Sequence, residues 1–293
     1  MKFTDISSGL KKIQEEWGNN PDEIILDALE AGYDKDYEES IEILENGITV
    51  FSNKLDDTTK SRLWDLKARA LQNLNRLDEA LESIIEAIKI DEKATGLWLD
   101  KAEILHDLKN DSEALLAINN AINLAPKESK VDLGIVKAYY LSHLNKHDDA
   151  LELYNDYLKK YPEDVDALLG KSEELFALGQ VEDALKSIES ALELEPDDIE
   201  LLSQKGIVLL DRNKFEESLR CFEKCLEIDS SDELSWYNKA CILSLLDKKE
   251  DALDALTVAI SLDEENITWA KDEQDFDNIR DMKQFNRLTF QVI

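Results

Sequence analysis

Apolar residues stand three and four places apart in WDLKARAL, WLDKAEIL and WYNKACIL, at residues 64–71, 98–105 and 236–243. That spacing puts them on one stripe of an α-helix. The stretches also keep phase with a longer period. Ala80 of LDEALESIIEAI aligns with Ala114, Ala150, Ala184, Ser218 and Ala252, at separations of 34, 36, 34, 34 and 34 residues. Six units result: 61–94, 95–128, 131–164, 165–198, 199–232 and 233–266, with a two-residue insertion at Ser129–Lys130. Such a period signals stacked repeats, in which each unit buries its apolar face only against its neighbours.

Let position 1 be Ser61, Thr95, Val131, Val165, Ile199 or Glu233. Position 4 then reads Trp64, Trp98, Gly134, Leu168, Leu202 and Trp236. Position 8 is always small and position 11 always Leu, so a neighbouring helix can approach closely along this stripe. Around position 15 stand Asn75, Lys109, Asn145, Gly179, Asn213 and Asp247. Most of these types tolerate the left-handed turn that ends a helix. Acids at positions 18–19 open a second helix, where the dipole favours negative charge. That helix carries small residues at 20 and 27 in most units, and Pro126, Pro162 and Pro196 stop it at position 32. Tyr157 breaks the rule at position 27 of the third unit, whose position 4 is Gly134. A large residue compensating for a missing one predicts a local repacking there.

A 34-residue helix–turn–helix with Trp at 4, small at 8, Leu at 11, Ala at 20 and 27 and Pro at 32 resembles the tetratricopeptide repeat family. The resemblance covers 61–266 and implies an all-α fold, a right-handed α-solenoid or superhelix. Both ends read as caps. Residues 1–20 are expected to form a helical extension and 21–60 a degenerate repeat or N-cap with linker, with Ser40 at position 20 and Gly47 at 27. The segment 267–293 is similar to the DF-x-x-IR-x-x-x-x-F-x-x-L closing helices of many microbial arrays. Phe276, Ile279, Phe285 and Leu288 would cover the open face of the last repeat.

Lysine occupies position 7 in every unit: Lys67, Lys101, Lys137, Lys171, Lys205 and Lys239. At about 100° per residue it points into the middle of the helix's packing arc. Its stem packs, and its head is expected to reach a helix-end carbonyl or an acid at a repeat junction. The lysine ladder is frame.

Positions 2, 5, 6, 9, 12 and 13 face the other way, and the resemblance implies that this side of the first helix lines a concave ligand groove. Units one and two place Arg62, Arg69, Asp100, Glu103 and His106 there, beside Asp65, Asn73 and Asp107. Units three and four place Ile135, Tyr139, His143, Leu169, Glu173 and Phe176; units five and six place Ile207, Leu210, Tyr237 and Asn238. The wall runs from charged to apolar and aromatic, which suits a protein or peptide. Some relatives grip an acidic chaperone C-terminus through Lys and Asn at these places. Here acids dominate, so the expected partner has apolar anchors and basic flanks.

Composition narrows the chemistry. A formal charge of −32 argues against nucleic acid, which requires a basic surface. No run reaches membrane-spanning length and the start lacks an apolar leader core, so the expectation is a soluble, cytoplasmic chain. Three cysteines form no CxxC, which fits a reducing compartment. There is no Walker loop, GxGxxG, HExxH or GxSxG. His143 and His147, four apart beside Asp148 and Asp149, read as surface histidines, and Cys225 reads as core. The reading is therefore no cofactor, no metal and no enzyme, but an interaction scaffold holding an extended or helical segment of a partner protein. The alternatives are a co-chaperone-like adaptor for unfolded chains and an accessory subunit that recruits an enzyme. Partner and oligomeric state are left open by these residues.

Overall fold

The computed structural model describes residues 21–51 and 54–290; the helical extension expected over 1–20 lies outside the described residues. Sixteen α-helices follow one another there, with no strand among the described residues. They come in consecutive pairs, the arrangement of a helical solenoid. The first pairs are α1 (Pro21–Tyr33) with α2 (Tyr37–Val50), α3 (Asp57–Asn73) with α4 (Leu77–Ile90), α5 (Thr95–Asp107) with α6 (Asp111–Leu124), and α7 (Lys130–His143) with α8 (His147–Lys160). The remainder are α9 (Val165–Ala177) with α10 (Val181–Leu194), α11 (Ile199–Asp211) with α12 (Phe215–Ile228), α13 (Glu233–Leu245) with α14 (Lys249–Leu262), and the short α15 (Asn266–Asp272) and α16 (Lys283–Thr289). The chain divides into two compact units, one ending at Leu153 and one starting at Tyr154.

One turn recurs inside every pair from α1 to α14. The chain reverses at a residue of positive φ: Lys35, Asn75, Lys109, Asn145, Gly179, Asn213 or Asp247. The next amide then donates back to a carbonyl five residues earlier, as in Arg76 to Leu71 at 2.9 Å and Lys248 to Leu243 at 2.9 Å. This closes the first helix by satisfying a carbonyl its own ladder leaves free. Gly179 adopts the conformation without steric cost, and Asn and Asp tolerate it; Lys35 and Lys109 hold it against a penalty of about 1–2 kcal/mol. The turn at Lys35 shows that residues 21–50 are shaped like the later pairs, which the sequence signals only through Ser40 and Gly47. Three first helices, α3, α9 and α11, are capped by aspartates: Asp56, Asp164 and Asp198 accept from the amides of Thr59, Ala167 and Leu201 at 2.7, 2.9 and 2.8 Å.

The small positions bring helices together. Position 8 is fully buried at Ala68, Ala102, Ala138, Ser172 and Ala240, as is position 20 at Ala80, Ala114, Ala150, Ala184, Ser218 and Ala252. At Gly206 the approach leaves no room even for a methyl group, since a Cβ would lie 2.7 Å from the Phe222 ring. Compensation between large and missing side chains does occur near the third unit, between other residues than those expected. Tyr154 fills the space at Gly170, where a Cβ would sit 2.5 Å from its ring, while Gly134 faces Leu153 and the Tyr157 hydroxyl donates to Asp164 at 3.0 Å.

Four of the position-7 lysines, Lys67, Lys101, Lys205 and Lys239, have a defined partner along the packing arc. The ammonium groups of Lys67, Lys101 and Lys239 stand 5.3, 5.4 and 5.3 Å from the ring centroids of Trp64, Trp98 and Trp236, one turn earlier. Lys67, Lys205 and Lys239 also pair with Glu45, Glu189 and Glu223 on the preceding helix, at 2.7, 3.0 and 3.3 Å. The indole N–H groups of Trp98 and Trp236 donate to the carbonyls of Glu92 and Ser230, which pins each ring at the junction before its helix.

Candidate functional site

Within residues 21–153, the first-helix side chains at positions 5, 6, 9, 12 and 13 are linked from helix to helix. Arg69 lies between two acids, donating from Nη2 to Asp100 at 2.9 Å and from Nε to Asp65 at 3.4 Å. Gln72 donates to Asp107 at 2.7 Å, again joining α3 to α5. His106 of α5 meets Asp111 through Nδ1 at 2.6 Å and the Tyr139 hydroxyl of α7 through Nε2 at 3.0 Å. The His143 ring stands 4.7 Å from that of His106 and 4.6 Å from that of Tyr139, centroid to centroid. The repeat phase aligns the same helix face in each unit, and stacking converts that alignment into contact.

Arg69, Gln72, Asn73, Asp100 and Glu103 line a cleft of about 310 Å³ on this strip. Its charge is set by its acids. Burial pushes the Asp65 carboxyl up to about 6, and the neighbouring Asp100 carboxylate pushes in the same direction, opposed by Arg69. A proton on Asp65 relieves the repulsion between the two acids; so would a cation brought from outside. Beneath the strip, burial and then the nearby Glu103 raise the Tyr140 hydroxyl to about 12. Arg62 and Glu103 are exposed, Tyr139 is 45% exposed, and Ile135 is half-buried.

Beyond Tyr154 the expected apolar wall is mostly part of the packing. Leu169, Phe176 and Leu210 lie against buried clusters centred on Leu201, Val208 and Phe222 respectively. Ile207 keeps 40% of its surface in solvent, and Asn238 is half-buried. Glu173 is exposed beside Glu200; desolvation and then that acid raise its carboxyl above the usual range. Tyr237 departs from the expectation: it is 8% exposed, with Phe276 and Trp269 edge-on to its ring at 5.6 and 5.9 Å. The closing segment is the reason. Phe276, Ile279 and Phe285 are fully buried in one cluster with Tyr237, Cys241 and Leu243, and so occupy the face that position 5 would otherwise present. Asn278 fastens that segment by donating to the Ser244 carbonyl at 2.9 Å.

Sequence reasoning passed over Gln72 and Asp111. Gln72 shares position 12 with His106, so strict phase-keeping would have found it. Asp111 begins a second helix, and nothing in its spacing says that it meets a first-helix histidine. All three cysteines are buried free thiols, and burial raises those of Cys221 and Cys241. Among the described residues no helix is long and apolar enough to cross a membrane.

Paired helices stacked on small residues, with a strip of polar and aromatic side chains on the first helices, define the class of helical-repeat interaction proteins. More specifically, the chain belongs to the tetratricopeptide repeat family. Models described as tetratricopeptide repeat match residues 61–93, 143–206, 199–232 and 234–266, more than half of its length. The fold is that of a protein–protein interaction scaffold. Among solved structures, a tetratricopeptide repeat protein from Parabacteroides merdae is similar over 83% of this chain and 93% of its own, at 16% identity and a TM-score of 0.70. The C-terminal part of a TPR repeat-containing protein from Cytophaga hutchinsonii is similar over 86% and 98%, at 14% identity and a TM-score of 0.63. A chain of the APC/C hetero-tetramer Cut9–Hcn1 is similar over 94% of this chain and 52% of its own, at 15% identity and a TM-score of 0.59. Likeness at these identities is likeness of fold. A search of curated proteins finds no match.

Proposed function

We propose that this chain is a non-catalytic scaffold that receives a segment of a partner protein on the first-helix strip of residues 21–153. A basic side chain of that segment would be seated at Asp65, Asp100 and Glu103. The observation that carries this is the half-buried pair Asp65–Asp100, two carboxyls sharing one arginine at the edge of an open cleft. A guanidinium or ammonium group from the partner offsets the Asp100 repulsion that adds to burial in raising Asp65, and its hydrogen bonds are charge-assisted. The exposed Tyr139 and the half-buried Ile135 are the apolar contacts this reading offers the partner, and nucleic acid is disfavoured by the charge of −32. Buried free thiols are consistent with a reducing, cytoplasmic location.

The test must separate this cleft from the acidity of the whole chain. A fluorescein-labelled peptide with arginines flanking a leucine pair is titrated with three proteins and followed by anisotropy. The proteins are the wild type, Asp100→Asn/Glu103→Gln, and the charge-matched Glu193→Gln/Glu195→Gln on an exposed part of α10 and the turn after it. The cleft variant is expected to bind about tenfold more weakly, the loss of roughly one charge-assisted contact, and the matched variant within twofold of wild type. Equal losses in the two variants would overturn the proposal.

A further inference from the structure

Two of the three histidines of this chain, 37 residues apart, converge on one point where the repeats 95–128 and 131–164 stack. His106 ends the exposed face of α5, His143 is the last residue of α7, and Asp111 opens α6. One ligand atom from each lies within 4.8 Å of the other two. The His106 and Asp111 side chains retain 18% of their surface each, and His143 is exposed, so the cluster is partly sheltered and open on one side.

The geometry points to a binding site for a divalent transition-metal ion of the zinc type, held by His106, Asp111 and His143. Two imidazoles and one carboxylate form a nitrogen-rich set that suits zinc, cobalt, nickel or copper; magnesium and calcium prefer all-oxygen shells. Ligand atoms about 2.0–2.2 Å from such an ion stand roughly 3.3 Å apart in a tetrahedron. His106 Nδ1 and Asp111 are already closer than that, at 2.6 Å, so the ion would enter by widening this contact. The exposed ring of His143 closes the third edge by rotation about its side-chain bonds. Tyr139 supplies the outer contact. With Nδ1 on the metal, the imidazole proton resides on Nε2, where the Tyr139 oxygen 3.0 Å away accepts it and holds the ring in the metal-binding tautomer. Three protein ligands leave one coordination position for water or for a donor from the partner.

The acidic surface would attract cations without any site, so the experiment must distinguish the two. Zinc is titrated by calorimetry into the full chain, and cobalt is used as a visible reporter. The expected result is one site per chain, a tetrahedral cobalt spectrum without a thiolate-to-metal charge-transfer band, and no displacement by excess magnesium or calcium. His106→Gln and His143→Gln should each weaken that site at least about tenfold, and Asp111→Asn severalfold, with helical circular dichroism unchanged. His143→Gln is decisive for folding artefacts, because the side chain is exposed. Zinc affinity equal in the wild type and both histidine variants would overturn the proposal, as would several weak sites or a cobalt–thiolate band from the cysteines.

Discussion

At the scale of single residues, position in the repeat decides what a side chain does. Lys101 and Arg69 are both cations on first helices. The former stands over Trp98 inside the packing arc, and the latter bridges Asp65 and Asp100 on the opposite face. Helical phase alone separates them, and it is legible from the sequence. The acidity of Asp65 is not, because it depends on burial and on Asp100 from another repeat. Its carboxyl titrates near 6 in the folded chain against an ordinary 3.8, so the native state holds that proton more tightly than the unfolded chain does. Stability from this group is therefore present at low pH and lost as pH rises from about 4 to about 6. Asp65→Asn removes the slope. It is expected to be more stable than wild type by about 1 kcal/mol at pH 7.5, after allowance for solvent screening, with the gain shrinking towards pH 4.5. Urea unfolding followed by circular dichroism at the two pH values measures this; a gain that does not depend on pH would contradict it.

At the scale of elements, each helix pair depends on small residues where backbones or rings meet. The pattern of small residues at 8, 20 and 27 was readable because it recurs, and every position-8 residue is buried. What recurrence could not reveal was which large neighbour fills each space. Tyr154 over Gly170 and Phe222 over Gly206 are choices of particular helices, made by side-chain shape. Gly206→Ala tests the second. Its methyl would lie 2.7 Å from a ring that is 1% exposed and has nowhere to go. Although alanine favours a helix over glycine, the clash is expected to dominate and destabilise the chain by about 1–3 kcal/mol in denaturant titration. A stabilised variant would show that α11 and α12 are free to separate. The closing segment teaches the same lesson in reverse. Its aromatic spacing identified it as a cover, but only packing showed that it buries Tyr237 and takes that residue out of the exposed strip.

At the scale of the whole molecule, a charge of −32 acts on every cationic partner before any contact forms. Long-range attraction fades once the Debye length falls to about 8 Å at physiological salt, whereas contacts in a half-buried cleft are screened less. The two charge-matched variants should therefore lower the association rate of the basic peptide equally at low salt. At high salt only Asp100→Asn/Glu103→Gln should still bind more weakly than wild type. Stopped-flow association across a salt series reads both effects, and variants that converge with wild type at high salt would assign all the affinity to net charge.

The sequence by itself determined the repeat, its phase, the turns between paired helices, and, for α3, α5 and α7, the division of the first helix into a packing face and an open face. These follow from local periodicity, and local periodicity is written in the order of residues. Tertiary structure alone decided that Asp65 meets Asp100, that His106, Asp111 and His143 share one point, and that Tyr237 lies under the closing segment. Each of these joins residues from separate helices across a stacking interface, where distance depends on how side chains pack between helices, which no spacing along the chain records.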